Sequence, residues 1–316
     1  MSTIHSTTRN GRLRGVLAPV LTPFDPKLEP DFPTFLDHCR WLLSKGAGLA
    51  IFGTNSEAAS LSVDERIVMT DALLEAGIPA NRMMPGTGAC SVKDAVRLTR
   101  HAVRSGAAGV LMLPPFYFKG VSEDGIFAYY AEVIEAVAEP DLAIYLYHIP
   151  QLTQVPITLP LIERLLKRYP QSVAGAKDSS GDWENSRAMI EGFATEGFDV
   201  FPASETFLSK ALPIGGAGCI SATVNVNPGA ISDLFSELSG NLPGREPSPS
   251  QVRVDEVRRI FQSFAMIPAM KSALAHFSGR ATWEIVRPPL TSLDQTARAG
   301  LLDRLSSMGF EFQIDH

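Results

Sequence analysis

Cysteine is scarce in this chain. The 316 residues hold three, Cys39, Cys90 and Cys219, far apart and in no CxxC pair. That spacing excludes a disulfide framework and a thiolate zinc site and predicts a reduced, cytoplasmic setting, and the small apolar neighbours of Cys90 and Cys219 predict that these two pack as apolar residues. No apolar run approaches the ~20 residues needed to cross a bilayer, so no membrane partner is expected. The opening MSTIHSTTRNGRLRG has no apolar core of its own, so no secretory signal is expected and residues 1–14 read as a flexible N-terminus. Dense lysine and arginine clusters are missing too, and the formal net charge is −6, which argues against a nucleic-acid partner. No P-loop or GxGxxG appears, so a nucleotide has no evident seat.

What the chain has is alternation. Short apolar runs recur at 15–22, 48–54, 82–88, 108–115, 142–150, 172–178, 198–204 and 217–223, each closed by glycine, proline or a small polar residue. They read as strands buried on both faces. Between them lie helical patterns: SVDERIVMTDALLEAG (62–77) opens on a Ser62–Glu65 capping box, and similar segments follow at 91–107 and 122–138. Eight strands alternating with helices over about 240 residues predict a (β/α)8 TIM barrel. The barrel is expected over 15–239, followed by a linker (GNLPGREPSPSQ, 240–251) and C-terminal helices packed on the barrel to residue 316.

In such a barrel the chemistry sits where the strands end. Here those ends are Gly53-Thr54-Asn55-Ser56-Glu57, Pro114 to Tyr117, Tyr147 to Pro150, Lys177, Ala203-Ser204-Glu205 and Ile220-Ser221. They offer one lysine, two tyrosines, small hydroxyls and open backbone, with no cluster of histidines and carboxylates suited to a metal. Lys177 is the conspicuous residue, because SVAGAKD ends an apolar run on an ammonium group, and burying an unpaired charge is expensive. One reading is a strand-end lysine paired with Asp178 or Asp182. The other is a nucleophilic amine that condenses with a ketone, with a tyrosine beside it to move protons and a backbone turn to hold a carboxylate.

Several motifs in order then resemble one family: GVLAPVLTPFD, GTNSEAASLSVDER, MPGTGACSVKDAV, LPPFYFKG, YLYHIP, GAKDSSGD and GGAGCISATVN, with IPAMKSAL and VRPPLTSL in the tail. They are similar to the dihydrodipicolinate synthase/N-acetylneuraminate lyase family of pyruvate-dependent class I aldolases. The resemblance implies a lyase that makes or cleaves a carbon–carbon bond to pyruvate or a related 2-oxo acid through an imine on Lys177, with no metal or nucleotide cofactor. It implies Tyr147 as proton shuttle and Thr54 as a relay member. Thr54 and Asn55 would bind the pyruvate carboxylate, and Ile220 would offer a backbone carbonyl. Tyr117 would complete the relay across a tight dimer within a tetramer, a dimer of dimers.

Three departures bear on the substrate. Leu152 stands where dihydrodipicolinate synthases carry an arginine that clamps a carboxylate, and leucine cannot make that contact. Asn55 and Ser56 replace the usual Thr and Gly, and His148 replaces the Asn after the tyrosine. Strand alternation predicts that His148 points away from the interior that Tyr147 faces. Leu152 favours a catabolic aldolase. The alternatives are the synthase of lysine biosynthesis, a Schiff-base dehydratase of 2-oxo-3-deoxy sugar acids, and a pyruvate-binding regulatory barrel without turnover.

Overall fold

The structure is a computed structural model that describes residues 8–9, 12–240 and 248–312. Parallel strands Gly15–Ala18, Gly48–Leu49, Val110–Met112, Ile144–His148, Val173–Asp178, Asp199–Pro202 and Gly218–Ile220 form seven staves of a barrel. Every residue in them is buried, as near-continuous apolar runs require of a sheet covered on both faces. The remaining stave, third in order, is the extended segment 83–87. It joins its neighbours by single bridges at Met83 and Gly86 instead of the continuous strand expected over 82–88, because Pro85 has no N–H to donate. The bonds still cross the gap: Met84 N–H donates to Leu49 O (2.8 Å), Gly86 N–H to Ile51 O (2.7 Å) and Leu111 N–H to Pro85 O (2.8 Å). On the other side, Ala217 N–H donates to Val200 O at 2.9 Å, and the first stave pairs with the eighth. The ring is closed, as a (β/α)8 barrel with no free edge.

The helices follow their caps. Val63–Glu75 starts at Ser62, whose capping box with Glu65 is complete, and stops before Gly77 at φ +83°. Val92–Arg104 and Glu123–Val137 start at Ser91 and Ser122.

The barrel interior is filled by a cluster that takes Leu17, Ala50, Met84, Leu111, Tyr145 and Phe201 from six different staves. Tyr145 lies flat between two glycines. A Cβ on Gly109 would meet its ring at 2.7 Å, and one on Gly175 would meet the ring at 2.8 Å and Asp199 O at 2.1 Å. Below this layer Arg14 pairs with Asp199 (2.7 Å) and donates to Gly216 O, while Arg12 donates to Gly197 O (2.7 Å) and Ala174 O. Arg12 and Arg14 therefore close the N-terminal end of the barrel and do not belong to a free tail.

Helices Pro249–Gln262, Met266–Ser278 and Gln295–Ser307 share an apolar cluster with Leu21, Ala222 and Val226 at the rim of the first and eighth staves. Ser248 caps the first of these helices and Pro249 occupies its first turn, so the end of the expected 240–251 linker is helical; residues 241–247 lie outside the described residues. Two buried polar groups stitch this region together. Glu205, fully buried, accepts from Ser221 and Thr223 hydroxyls and from Arg258 at 2.9 Å, and Arg258 also donates to Ser221 Oγ at 2.8 Å. His38 lies between Trp41 and Trp283, with Nε2 3.1 Å from Asn225 Oδ1. That oxygen can only accept, so Nε2 carries the proton; burial lowers the His38 pKa to about 4 despite this bond. Cys219 is a buried packing residue as expected and Cys39 is buried too, whereas Cys90, expected to pack, is exposed in the loop before Ser91.

Candidate active site

Tyr147 and Lys177 lie one residue before the ends of neighbouring parallel staves and are direct register partners, which aims both side chains to the same face of the sheet. The ammonium nitrogen of Lys177 lies 3.2 Å from the Tyr147 hydroxyl and 4.3 Å from the ring centroid. Thr54 Oγ1 lies 3.1 Å from the same hydroxyl on its other side. Lys177 and Tyr147 are buried, and Thr54 is half-buried. Burial alone would push the Tyr147 phenol up. The Lys177 charge and hydrogen bonds with Thr54, Lys177 and Ser179 outweigh it, so the phenol sits below its usual value. A hydroxyl that bridges an amine and a second hydroxyl can pass a proton in either direction.

Thr54 is held by a tight turn. Ser56 N–H donates to Gly53 O (3.1 Å), Glu57 N–H to Thr54 O (3.1 Å), and the Ser56 hydroxyl accepts from Gly53 N–H (3.2 Å). Among the described residues, the N–H groups of Thr54 and Asn55 donate to no protein acceptor. Two free N–H groups in succession on a turn suit a carboxylate. Ile220, the last residue of the eighth stave, is buried in the interior cluster.

Tyr117 is not part of this constellation within one chain. It is 74% exposed, stacked edge-on against Phe118, itself 72% exposed, and makes no hydrogen bond to Thr54 or Tyr147. Lys119 fixes this aromatic loop by donating to Thr153 O (2.9 Å), next to Leu152, which is 60% exposed on the short helix Pro150–Thr153. His148 faces away from Tyr147, as alternation predicts, and its Nδ1 accepts from Ile157 N–H at 3.0 Å; burial lowers its pKa, partly offset by Asp178. Asp178 orders the following loop through Ser180 N–H, Asn185 and Ser186, and Asp182 caps Trp183–Phe193. Among the described residues, no three His, Cys, Asp or Glu side chains cluster as metal ligands do, and no helix is long and apolar enough to cross a membrane.

Two contributors escaped the sequence. Lys271 and Arg287, both in the C-terminal extension, reach the turn from behind: Lys271 Nζ lies 2.6 Å from Glu57 Oε1, and Arg287 N–H donates to Glu57 Oε2 at 2.8 Å. The signal was present in IPAMKSAL, a lysine inside an apolar helical run.

A closed (β/α)8 barrel whose C-terminal mouth holds a buried lysine against a tyrosine hydroxyl belongs to a defined class: this chain is a lyase of the pyruvate-dependent class I aldolase type. More narrowly, it belongs to the dihydrodipicolinate synthetase family, whose model matches residues 12–308. It is 33% identical over 299 residues to a DapA-like lyase of Chloroflexus aurantiacus, covering 92% of this chain and 97% of that one. Among solved structures it resembles a dihydrodipicolinate synthase from Agrobacterium tumefaciens, with a TM-score of 0.84 and 28% identity over 93% of this chain and 98% of that one. YagE, a prophage protein of the same family from E. coli K12 solved in complex with pyruvate, aligns with a TM-score of 0.81 and 25% identity over 94% of this chain and 99% of its own.

Proposed function

We propose that Lys177 is the nucleophile that forms an imine with pyruvate or a related 2-oxo acid, and that this imine makes or breaks a carbon–carbon bond to an aldehyde. The contact of Lys177 with Tyr147, and of Tyr147 with Thr54, carries this reading. The amine adds to the keto carbon, the carbinolamine loses water, and the iminium so formed withdraws electrons from the adjacent carbon. Tyr147 supplies the proton that leaves with the water and takes protons back, with Thr54 as its partner. The free N–H groups of Thr54 and Asn55 hold the carboxylate, and the Ile220 carbonyl faces the bound acid. Tyr117 joins the relay from a second copy of the chain, which accounts for a tyrosine and a phenylalanine left in water. The working assembly is a homo-oligomer, a tetramer built as a dimer of dimers, in the cytoplasm.

Leu152 directs the substrate. With leucine on the helix after the Tyr147 strand, an aldehyde carrying its own carboxylate finds no clamp there, which favours a catabolic aldolase over a synthase that uses aspartate semialdehyde. Borohydride reduction in the presence of pyruvate tests the mechanism: the mass of one reduced adduct on Lys177, absent in Lys177→Ala, is expected. An adduct elsewhere, or none, rejects it. A panel of aldehydes then tests the substrate, and efficient turnover of aspartate semialdehyde would overturn the argument from Leu152. Loss of water from a sugar acid without release of pyruvate would identify a dehydratase instead, and trapping without any turnover a regulatory barrel.

A further inference from the structure

The turn that carries Thr54 and Asn55 is bracketed by two non-glycine residues in the left-handed region, Phe52 at φ +59° and Glu57 at φ +57°. A non-glycine residue is strained there, so the conformation persists only where the surroundings over-determine it. Phe52 is fixed by stacking on Phe35, and Thr22 Oγ1 donates to Ser56 O at 2.8 Å. The firmest hold is on Glu57. Its carboxylate is wholly buried and both oxygens are engaged from the C-terminal extension, one by the Lys271 ammonium and one by the Arg287 N–H. Phe24 sits between the two cations, each 4.7 Å from its ring centroid. The Arg287 side chain also donates to Ser60 O (2.7 Å) and Leu28 O (2.8 Å) and pairs with Glu65, so the segment it comes from is itself anchored.

This arrangement does more than stiffen. A buried carboxylate two residues beyond Asn55 would repel an anion arriving at the turn unless a counter-charge lay against it. Lys271 is that counter-charge. We propose that Lys271 is a positioning residue for the 2-oxo acid: through Glu57 it locks the Thr54–Asn55 turn and neutralises the field that the substrate carboxylate meets. The inference rests on the imine mechanism above, with the turn as its carboxylate site. It gives the C-terminal extension a part in substrate binding, although the extension supplies no group that touches substrate.

The test is a titration of pyruvate by borohydride trapping in the full-length protein, alongside steady-state kinetics with pyruvate and an accepted aldehyde. For Lys271→Met, the pyruvate concentration for half-maximal trapping and the KM for pyruvate are expected to rise at least tenfold. Trapping at saturation should stay complete and kcat within about threefold. Lys271→Gln can still donate to Glu57 and loses only the counter-charge, so a rise of at least threefold is expected; this variant decides the matter if Lys271→Met does not fold. Unchanged half-saturation in a folded variant, or a fall in kcat at constant KM, overturns the proposal. Absence of any adduct in the unmutated protein would instead reject the mechanism on which it rests.

Discussion

Tyr147 and Lys177 are thirty residues apart in sequence and face each other as register partners on adjacent parallel strands, hydroxyl to amine at 3.2 Å. Their contact is set by backbone pairing, not by a mobile loop, so neither side chain needs to search for the other. Sites on strands hold geometry more tightly than sites on loops.

Removing only the hydroxyl isolates its role. Tyr147→Phe keeps the ring under the ammonium group and cuts the link to Thr54. A fall in kcat of about 10²-fold or more is expected, the range for a lost general acid–base group, with KM for pyruvate nearly constant. Stopped-flow and steady-state assays read it, and a variant with wild-type kcat would remove Tyr147 from the proton path.

The glycine at 175 has no room for a methyl group. A Cβ there would lie 2.1 Å from Asp199 O and 2.8 Å from the Tyr145 ring, both in the centre of the barrel. Gly175→Ala is expected to destabilise the fold by roughly 3 kcal/mol or more, at or beyond the upper end for overpacked cores. Thermal unfolding checks this, and a melting temperature within a degree of the parent protein would contradict it.

His38 makes stability depend on pH. Its folded-state pKa is lowered to about 4, so between about pH 6.5 and 4 the unfolded chain binds a proton that the native state refuses. Stability from this group is therefore present above pH 6.5 and lost as the pH falls towards 4, by on the order of 3 kcal/mol. His38→Gln, which can still donate to Asn225, should close its stability gap to the parent protein by that amount between pH 7 and pH 4 in urea melts. A gap that stays constant with pH would show that His38 is not the group responsible.

Arg258 and Glu205 test the second buried ion pair. Arg258→Met leaves the Glu205 carboxylate buried with hydroxyl partners alone, at an expected cost of about 3–5 kcal/mol. Glu205→Gln combined with Arg258→Met should recover a large part of that loss. Equal urea midpoints for the single and double variants would mean that packing, not charge, dominates there.

The barrel was legible in the spacing of the apolar runs, and Lys177 in the oddity of a lysine closing one of them. The same cue occurs twice: Lys271 also interrupts an apolar run, yet it pairs with a carboxylate and Lys177 meets a hydroxyl. Sequence shows that a charge is buried. It does not show what faces that charge when the partner lies 214 positions away. The third stave was overread because an apolar run states burial, while Pro85 decides how many ladder bonds can form. Cys90 was misjudged because small apolar neighbours in sequence turned out to line an exposed loop. Tyr117 stayed ambiguous for another reason: its position in one chain is solvent, and no pattern within that chain can supply the surface it would meet.

The floor made by Arg12, Arg14 and Asp199 beneath the Tyr145 layer turns the barrel into a cul-de-sac. With the interior packed by side chains and the far end tied off, anything that reaches Lys177 enters and leaves by the mouth.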